Sequence, residues 1–206
     1  MRWFTADLHL GHANIIRYCN RPFADVEEMN EELVRRWNAR VTPNDEVWVL
    51  GDFALGRIAE SFACGRRLNG RKSLVVGNHD RMFGARRAAE YRRWVERYQQ
   101  EAGFDDVVDN VSTRIGEIPV RLSHFPYEGD SHDRDRFVHA RPRDDGGWLV
   151  HGHVHEKWKV NGRQVNVGVD VWNFAPVAEH ELALIMRPGR TGRARHVTGS
   201  ARSRPA

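Results

Sequence analysis

The sequence predicts an α/β fold: a two-sheet β-sandwich flanked by helices, formed by a single domain. Apolar runs alternate with amphipathic helical patterns up to residue 102, and short strands follow after Gly103. No internal repeat interrupts this order, and no linker occurs before residue 187. Packing helices against sheets satisfies such a pattern, and 206 residues are enough to bury a sizeable core.

The first half of the chain is predicted to alternate strands and helices. Strands are expected at residues 2–6, 46–50 and 73–76. A short helix is expected from residue 13, and longer ones at 26–40, 58–68 and 84–102. Asp25 is the expected N-cap of the second helix, with Glu28 at the capping-box position. These runs resemble βαβ units, which form parallel sheets.

The second half of the chain is predicted to contain mainly short strands. They are expected at residues 107–111, 120–122, 148–150, 164–169 and 182–186. Residues 126–147 contain two prolines and several glycines, which favour a long loop. The predicted domain therefore extends over residues 1–186.

Residues 187–206 differ in composition from the rest. They hold six of the 32 Lys and Arg residues and no acidic residue, so residues 1–186 carry a net charge of −2. This basic tail is predicted to be disordered. Weak electrostatic contact with nucleic acid is one interpretation, and a solubilising extension is the preferred one.

Cysteine usage and hydropathy bear on the compartment. Cys19 and Cys64 have no CxxC partner, which argues against a disulfide framework or a thiolate zinc site and favours a reducing compartment. No secretory signal or bilayer-spanning apolar run is visible. We expect a cytoplasmic protein with no membrane association.

Residues of metal-ligand type follow several predicted strands. His151, His153 and His155 alternate, so an extended segment would project them from one face. Imidazole is the commonest metal ligand among side chains, although a histidine-rich surface loop would also fit. Similar residues follow four other strands, at Asp7-x-His9, Gly51-Asp52, Gly77-Asn78-His79-Asp80 and Ser123-His124. Turn formation does not explain such residues at the ends of successive strands.

This succession of motifs resembles the calcineurin-like metallophosphoesterase superfamily from residue 5 to about residue 172. The resemblance implies a four-layer α/β/β/α sandwich and two divalent transition-metal ions: manganese, iron or zinc, with manganese preferred. It assigns Asp7, His9 and His155 to one ion. It assigns Asn78, His124 and His153 to the other, with Asp52 bridging the two. His151 has no place in the pattern and is expected either to support the ligands from behind or to lie in the core.

The same resemblance implies a mechanism, in which a metal-bridging hydroxide attacks phosphorus. His79 matches the catalytic histidine of the family, which would protonate the leaving oxygen or stabilise the transition state. Asp80 is expected to orient the His79 ring. His12 and Asn78 are expected to contact the substrate.

The choice of phosphoester depends on finer features. Phe53-Ala54-Leu55-Gly56 after Asp52, and Asp80 in place of Glu, argue against the protein phosphatases. The sequence of residues 4–16, 18–23 and 166–172 resembles a small bacterial and phage subgroup of phosphodiesterases acting on substrates that include 2′,3′-cyclic nucleotides. A small phosphodiester or nucleotide is the expected substrate. The alternatives are a phosphomonoesterase, a nuclease acting on RNA ends, and a non-catalytic protein-binding scaffold.

Overall fold

Two five-stranded sheets form the centre of the described part of the chain. We describe residues 1–187 of a computed structural model. The remainder of the predicted tail, residues 188–206, lies outside the described residues. The strands of the first sheet are β1 (Arg2–Thr5), β2 (Glu46–Val49), β3 (Arg71–Val75), β4 (Asp106–Val108) and β10 (Val177–Ala178). Their order is β10-β1-β2-β3-β4. Strands β1 to β4 run parallel, and β10 pairs antiparallel with β1.

The second sheet is mixed. Its strands are β5 (Val111–Ile115), β6 (Ile118–Leu122), β7 (Trp148–His151), β8 (Val160–Asn161) and β9 (Gln164–Asn166). Their order is β5-β6-β7-β9-β8. Strands β6, β7 and β9 run parallel, so their carboxyl ends lie at one edge.

Five α-helices lie within residues 1–187. They are α1 (Ala13–Tyr18), α2 (Val26–Asn38), α3 (Ile58–Arg66), α4 (Ala88–Ala102) and α5 (Glu179–Met186). Helix α2 begins as predicted, with the Asp25 side chain accepting from the Glu28 N–H. The Glu28 carboxylate, however, accepts from the N–H of Ala24, one residue before the cap.

Two apolar cores hold these layers together. The first includes Trp37 of α2, Phe62 of α3, Tyr98 of α4 and Leu74 of β3, so it lies between the helices and the first sheet. The other lies between the sheets, with residues such as Phe4, Val75, Leu122, Val150 and Val165. Alternate residues of β1 and β3 thus enter different cores, as the two faces of a strand require. The predicted two-sheet sandwich flanked by helices is confirmed.

Two of the predicted strands were wrong. Residues 182–186 belong to α5, where Leu182 and Met186, four residues apart, are both buried in the inter-sheet core. Glu181 stabilises the start of α5 by accepting a hydrogen bond from the N–H of Ala178. Residues 107–111 form no single strand, because the chain leaves the first sheet after Val108 and enters the second at Val111.

Other, smaller differences concern element ends. Helix α4 begins at Ala88, and β9 ends at Asn166, after which Val169–Val171 forms a 3-10 turn. Strands β8 and β10 were not predicted. Within residues 1–187, no helix has the length and apolarity needed to cross a bilayer.

Candidate metal centre

All the predicted ligands meet at one edge of the sandwich. Asp7, Asp52 and Asn78 follow β1, β2 and β3 of the first sheet, whereas His124, His153 and His155 follow β6 and β7 of the second. The two sheets are linked there, because the N–H of His153 donates to the Asp7 carboxylate at 2.9 and 3.2 Å. Parallel strands therefore bring residues far apart in sequence to one place, as open α/β sheets do.

Asp7, His9 and His155 form the first group of candidate ligands. One potential ligand atom of each lies within 4.8 Å of the others, and all three residues are buried. Neither ring nitrogen of His9 has a hydrogen-bond partner among the described residues, and Nδ1 of His155 has none either. Because unpaired buried polar atoms are costly, this donor set fits a bound transition-metal cation.

Asp52 lies between this group and a second one. Its Oδ2 is 3.6 Å from Nε2 of His9 and 3.5 Å from Nε2 of His124. Asn78 reaches the same point, with Oδ1 at 3.1 Å from Nε2 of His124. The Leu50 carbonyl lies 2.8 Å from Nδ1 of His124 and fixes the ring orientation. Asp52 therefore occupies the position expected of a bridging carboxylate.

The backbone at the centre is strained. Five of the seven predicted ligands have a positive φ: 56° at Asp7, 52° at His9, 53° at Asp52, 73° at His153 and 50° at His155. Side-chain-bearing residues seldom adopt this region, which costs about 1–3 kcal/mol each. Such strain is found mainly at functional sites, where it holds side chains in a set arrangement.

Burial shifts the protonation of these groups. It raises the pKa of Asp7 to about 6, and it lowers the pKa of His153 to about 3 and that of His9 well below its usual value. At Asp52 burial is outweighed by the neighbouring His124 and His79 rings, so its pKa is lowered. The result is neutral His9 and His153 rings beside an ionised Asp52, the forms that bind metals. At His155, by contrast, burial is outweighed by the Asp7 and Asp170 carboxylates, which raise the pKa of the ring well above its usual value.

The family is decided by comparison with known proteins. The sequence model of the calcineurin-like phosphoesterases matches residues 2–157. The chain belongs to the calcineurin-like phosphoesterase family. It is therefore a metal-dependent phosphoester hydrolase, and the predicted family resemblance is confirmed.

Relatives of this phosphoesterase occur in phages and archaea. Gene 66 protein of Mycobacterium phage L5 is 37% identical over 184 residues, covering 82% of this chain and 86% of its own. The uncharacterized protein MJ1445 of Methanocaldococcus jannaschii is 30% identical over 200 residues, covering 93% and 94%. The crystal structure of AQ665 from Aquifex aeolicus, a protein of unknown function, shares the fold. It has a TM-score of 0.66 at 24% identity and covers 90% of this chain and 99% of its own.

Asp80 does not orient the His79 ring in this phosphoesterase, and that prediction needs correction. Its buried carboxylate accepts hydrogen bonds from the N–H groups of Asp52, Phe53 and Gly77 and from the Tyr98 hydroxyl. Asp80 thus joins the loops after β2 and β3. Burial and the neighbouring Asp52 raise its pKa to about 7.

His79 and His12 stand at the open side of the centre. The His79 N–H donates to Oδ1 of Asp52, and its ring lies 5.3 Å from the His9 ring. The His12 ring is 5.4 Å from His9 and 6.5 Å from His79. Both residues line a groove of about 430 Å³. His151 is instead buried and packs against Trp158, and its Nδ1 lies 2.7 Å from the Gly152 carbonyl oxygen, as expected for a core residue.

Two supporting residues escaped the sequence analysis. Arg21 pairs with Asp170, whose Oδ2 lies 3.5 Å from Nδ1 of His155. Asp130 lies 3.1 Å from Nε2 of His153. Arg21 precedes a proline and Asp130 lies in the predicted loop, so neither showed the strand-end position that marked the ligands. Asn166 also supports the centre, since its amide donates to the carbonyls of His155 and Trp158.

Proposed function

We propose that the protein is a dinuclear phosphodiesterase that hydrolyses small nucleotide diesters, 2′,3′-cyclic nucleotides among them. The observation that carries this is an exposed aromatic ring, Tyr18, on the groove that also contains His79 and Asp52. Exposed aromatic rings beside phosphate-handling groups are favoured sites for base stacking. A volume of about 430 Å³ lies in the range of small-ligand sites.

Two ions would be held by the groups described above. Asp7, His9 and His155 would hold one, Asn78, His124 and His153 the other, and Asp52 would bridge them. The mixed His, Asp and Asn donors suit manganese, iron or zinc, and we favour manganese. When bound, such ions lower the pKa of water and neutralise charge on the phosphoryl oxygens.

The remaining polar groups would act on the substrate. His79 would deliver a proton to the leaving oxygen, because its ring faces the groove beside Asp52. His12, next to Tyr18, would contact the phosphate. Because Oδ1 of Asn78 faces His124, the amide N–H groups of Asn78 would donate to a phosphoryl oxygen. Asp80 would keep the loops that carry Asp52 and His79 together.

The setting of the enzyme is also part of the proposal. Cys19 and Cys64 are both free, in keeping with a reducing compartment such as the cytoplasm. The partner would be a small phosphodiester or nucleotide rather than a membrane. Short RNA is the other substrate to be compared.

A substrate panel tests the proposal. The protein is stripped of metal, reloaded with manganese, and assayed on bis- and mono-(p-nitrophenyl) phosphate, on 2′,3′- and 3′,5′-cyclic nucleotides, and on short RNA. We expect a higher kcat/KM for the diester than for the monoester, with turnover of 2′,3′-cyclic nucleotides. Equal or better hydrolysis of the monoester contradicts a phosphodiesterase, and exclusive cleavage of RNA supports a nuclease instead.

A further inference from the structure

Asp130 connects the loop between β6 and β7 to the metal centre. Its side chain is buried and accepts hydrogen bonds from the N–H groups of His132 and Arg136. It also accepts from Nε and Nη2 of the Arg136 guanidinium, at 3.1 and 2.8 Å. Its Oδ2 lies 3.1 Å from Nε2 of His153. One carboxylate therefore holds both an arginine and a candidate metal ligand.

This contact assigns a role to each ring nitrogen of His153. An ionised carboxylate accepts hydrogen bonds, so Nε2 of His153 is the protonated nitrogen and Nδ1 carries the free lone pair. Carboxylate partners of this kind fix the tautomer and orientation of metal-binding imidazoles. Asp130 is thus suited to hold His153 ready for a cation.

Arg136 is restrained along one edge and free along the other. Besides its bonds to Asp130, Nη2 donates to Oγ of Ser131 at 2.9 Å, and the guanidinium lies 5.3 Å from the centre of the Phe137 ring. Nη1 has no hydrogen-bond partner within residues 1–187. A guanidinium already fixed in place loses little further conformational entropy when it binds an anion.

Arg136 is also the loop arginine that faces the groove. It lines the same cavity as Asn78 and His79. The neighbouring Arg141 is engaged elsewhere, since its Nη2 donates to Asp135 and to the Arg136 carbonyl. Arg134 is exposed and does not line the groove.

We propose that Arg136 binds the phosphoryl group of the substrate, and that Asp130 is a positioning residue which couples this contact to His153. The inference rests on the proposed phosphodiesterase function and identifies the phosphate contact within it. Nη1 of Arg136 donates to a non-bridging oxygen of the phosphodiester. Arg136 and the metal centre thereby contact the same phosphate, and the Asp130 carboxylate connects the two.

Phosphate binding tests the role of Arg136 without any turnover. Calorimetry measures the affinity of the manganese-loaded protein for inorganic phosphate. Arg136→Ala is expected to weaken it about 10- to 100-fold, the range for a charged hydrogen bond, with manganese affinity unchanged. Arg134→Ala, an exposed neighbour, is the matched control and stays within about twofold. An unchanged affinity in Arg136→Ala, or an equal loss in Arg134→Ala, overturns the assignment.

Manganese binding tests the coupling through Asp130. Asp130→Asn is expected to weaken one of the two manganese sites about 10- to 100-fold, to alter the electron paramagnetic resonance spectrum of the manganese pair, and to weaken phosphate binding. Asp130→Glu keeps the charge and gives a smaller effect. It also serves should Asp130→Asn fail to fold by circular dichroism. Wild-type manganese affinity in the folded variant overturns the coupling.

The outcome is separable from that of the proposed function. A protein that binds phosphate through Arg136 yet hydrolyses no diester contradicts the phosphodiesterase and leaves the role of Arg136 intact. If Arg136→Ala hydrolyses diesters at the wild-type KM and binds phosphate as the wild type does, the phosphodiesterase function stands and the role of Arg136 is contradicted.

Discussion

Arg21 and Asp170 form a buried, two-point ion pair behind the metal centre. Nε and Nη2 of the arginine donate to the two carboxylate oxygens at 2.8 and 2.9 Å, and the two side chains are 0% and 2% exposed. The guanidinium also donates to the carbonyls of Asp7 and Leu8. It therefore joins the loop after β1 to the Asp170 that stands beside His155.

Removing this arginine is expected to destabilise the fold. Arg21→Ala leaves the Asp170 carboxylate buried without its partner, which costs about 3–5 kcal/mol. Chemical denaturation measures the free energy of unfolding. Arg35→Ala, which breaks an exposed pair with Glu32, is the control and should change it little. Equal losses of unfolding free energy in the two variants would show that the buried pair stabilises the fold no more than the exposed one.

His79→Ala separates catalysis from metal binding. The His79 ring faces the groove, and its N–H contact to Asp52 comes from the backbone, which the substitution keeps. We expect both metal ions to remain and kcat to fall about 10²- to 10⁴-fold. Elemental analysis and steady-state kinetics provide the two readouts, and exposed His180→Ala on α5 is the control. Full turnover in His79→Ala would remove the leaving-group role.

Tyr18→Ala tests the base-stacking surface. Stacking contributes about 1–3 kcal/mol per base, so KM for 2′,3′-cyclic nucleotides should rise about 5- to 150-fold with kcat nearly unchanged. Tyr18→Phe keeps the ring and should keep KM. A glycerol phosphodiester without a base gives the same comparison from the substrate side. If its KM rises as much as that of the nucleotides, Tyr18 does not recognise a base.

Gly152→Ala tests the close packing behind the ligands. A Cβ at this position would lie 2.6 Å from Cβ of Ala6 and 2.7 Å from Oδ2 of Asp7. The carboxylate must move, so we expect weaker metal binding and a loss of about 1–3 kcal/mol in stability. Gly162→Ala, where the new Cβ meets open space at a φ of +58°, is the control, because it costs backbone strain without a clash and should leave manganese binding unchanged. Wild-type manganese affinity in Gly152→Ala would contradict this packing.

The positions of the candidate ligands were easier to predict from the sequence than those of the residues that support them. Asp7, Asp52 and Asn78 follow apolar strands, and a parallel sheet brings the ends of such strands to one edge. Asp130 and Arg21 act through contacts 23 and 149 residues away, and no local pattern reveals such pairing. For the same reason the sequence suggested the adjacent His79 as the partner of Asp80, whereas the hydrogen-bond partners of Asp80 include Asp52 and Tyr98.

The secondary structure shows the same contrast between what local patterns predict and what long-range packing decides. Long amphipathic runs such as α2 were predicted within two residues, because thirteen residues carry a clear helical period. The short apolar run at residues 182–186 fits a strand or a helix equally well. Tertiary packing decides between them, since Leu182 and Met186 are buried while Leu184 is 46% exposed, and a strand would bury all three on one face.

A manganese titration tests the central claim, a two-metal phosphodiesterase, most directly. The protein is stripped with a chelator, and bound manganese and bis-(p-nitrophenyl) phosphate hydrolysis are measured together as the ion is added back. Asp52→Asn, which replaces the carboxylate between the two groups with a neutral amide, should fail to reach full occupancy. We predict that activity is absent after chelation and reaches its maximum only as two ions bind per chain. Full activity in the stripped protein, or with one ion per chain, would contradict the account.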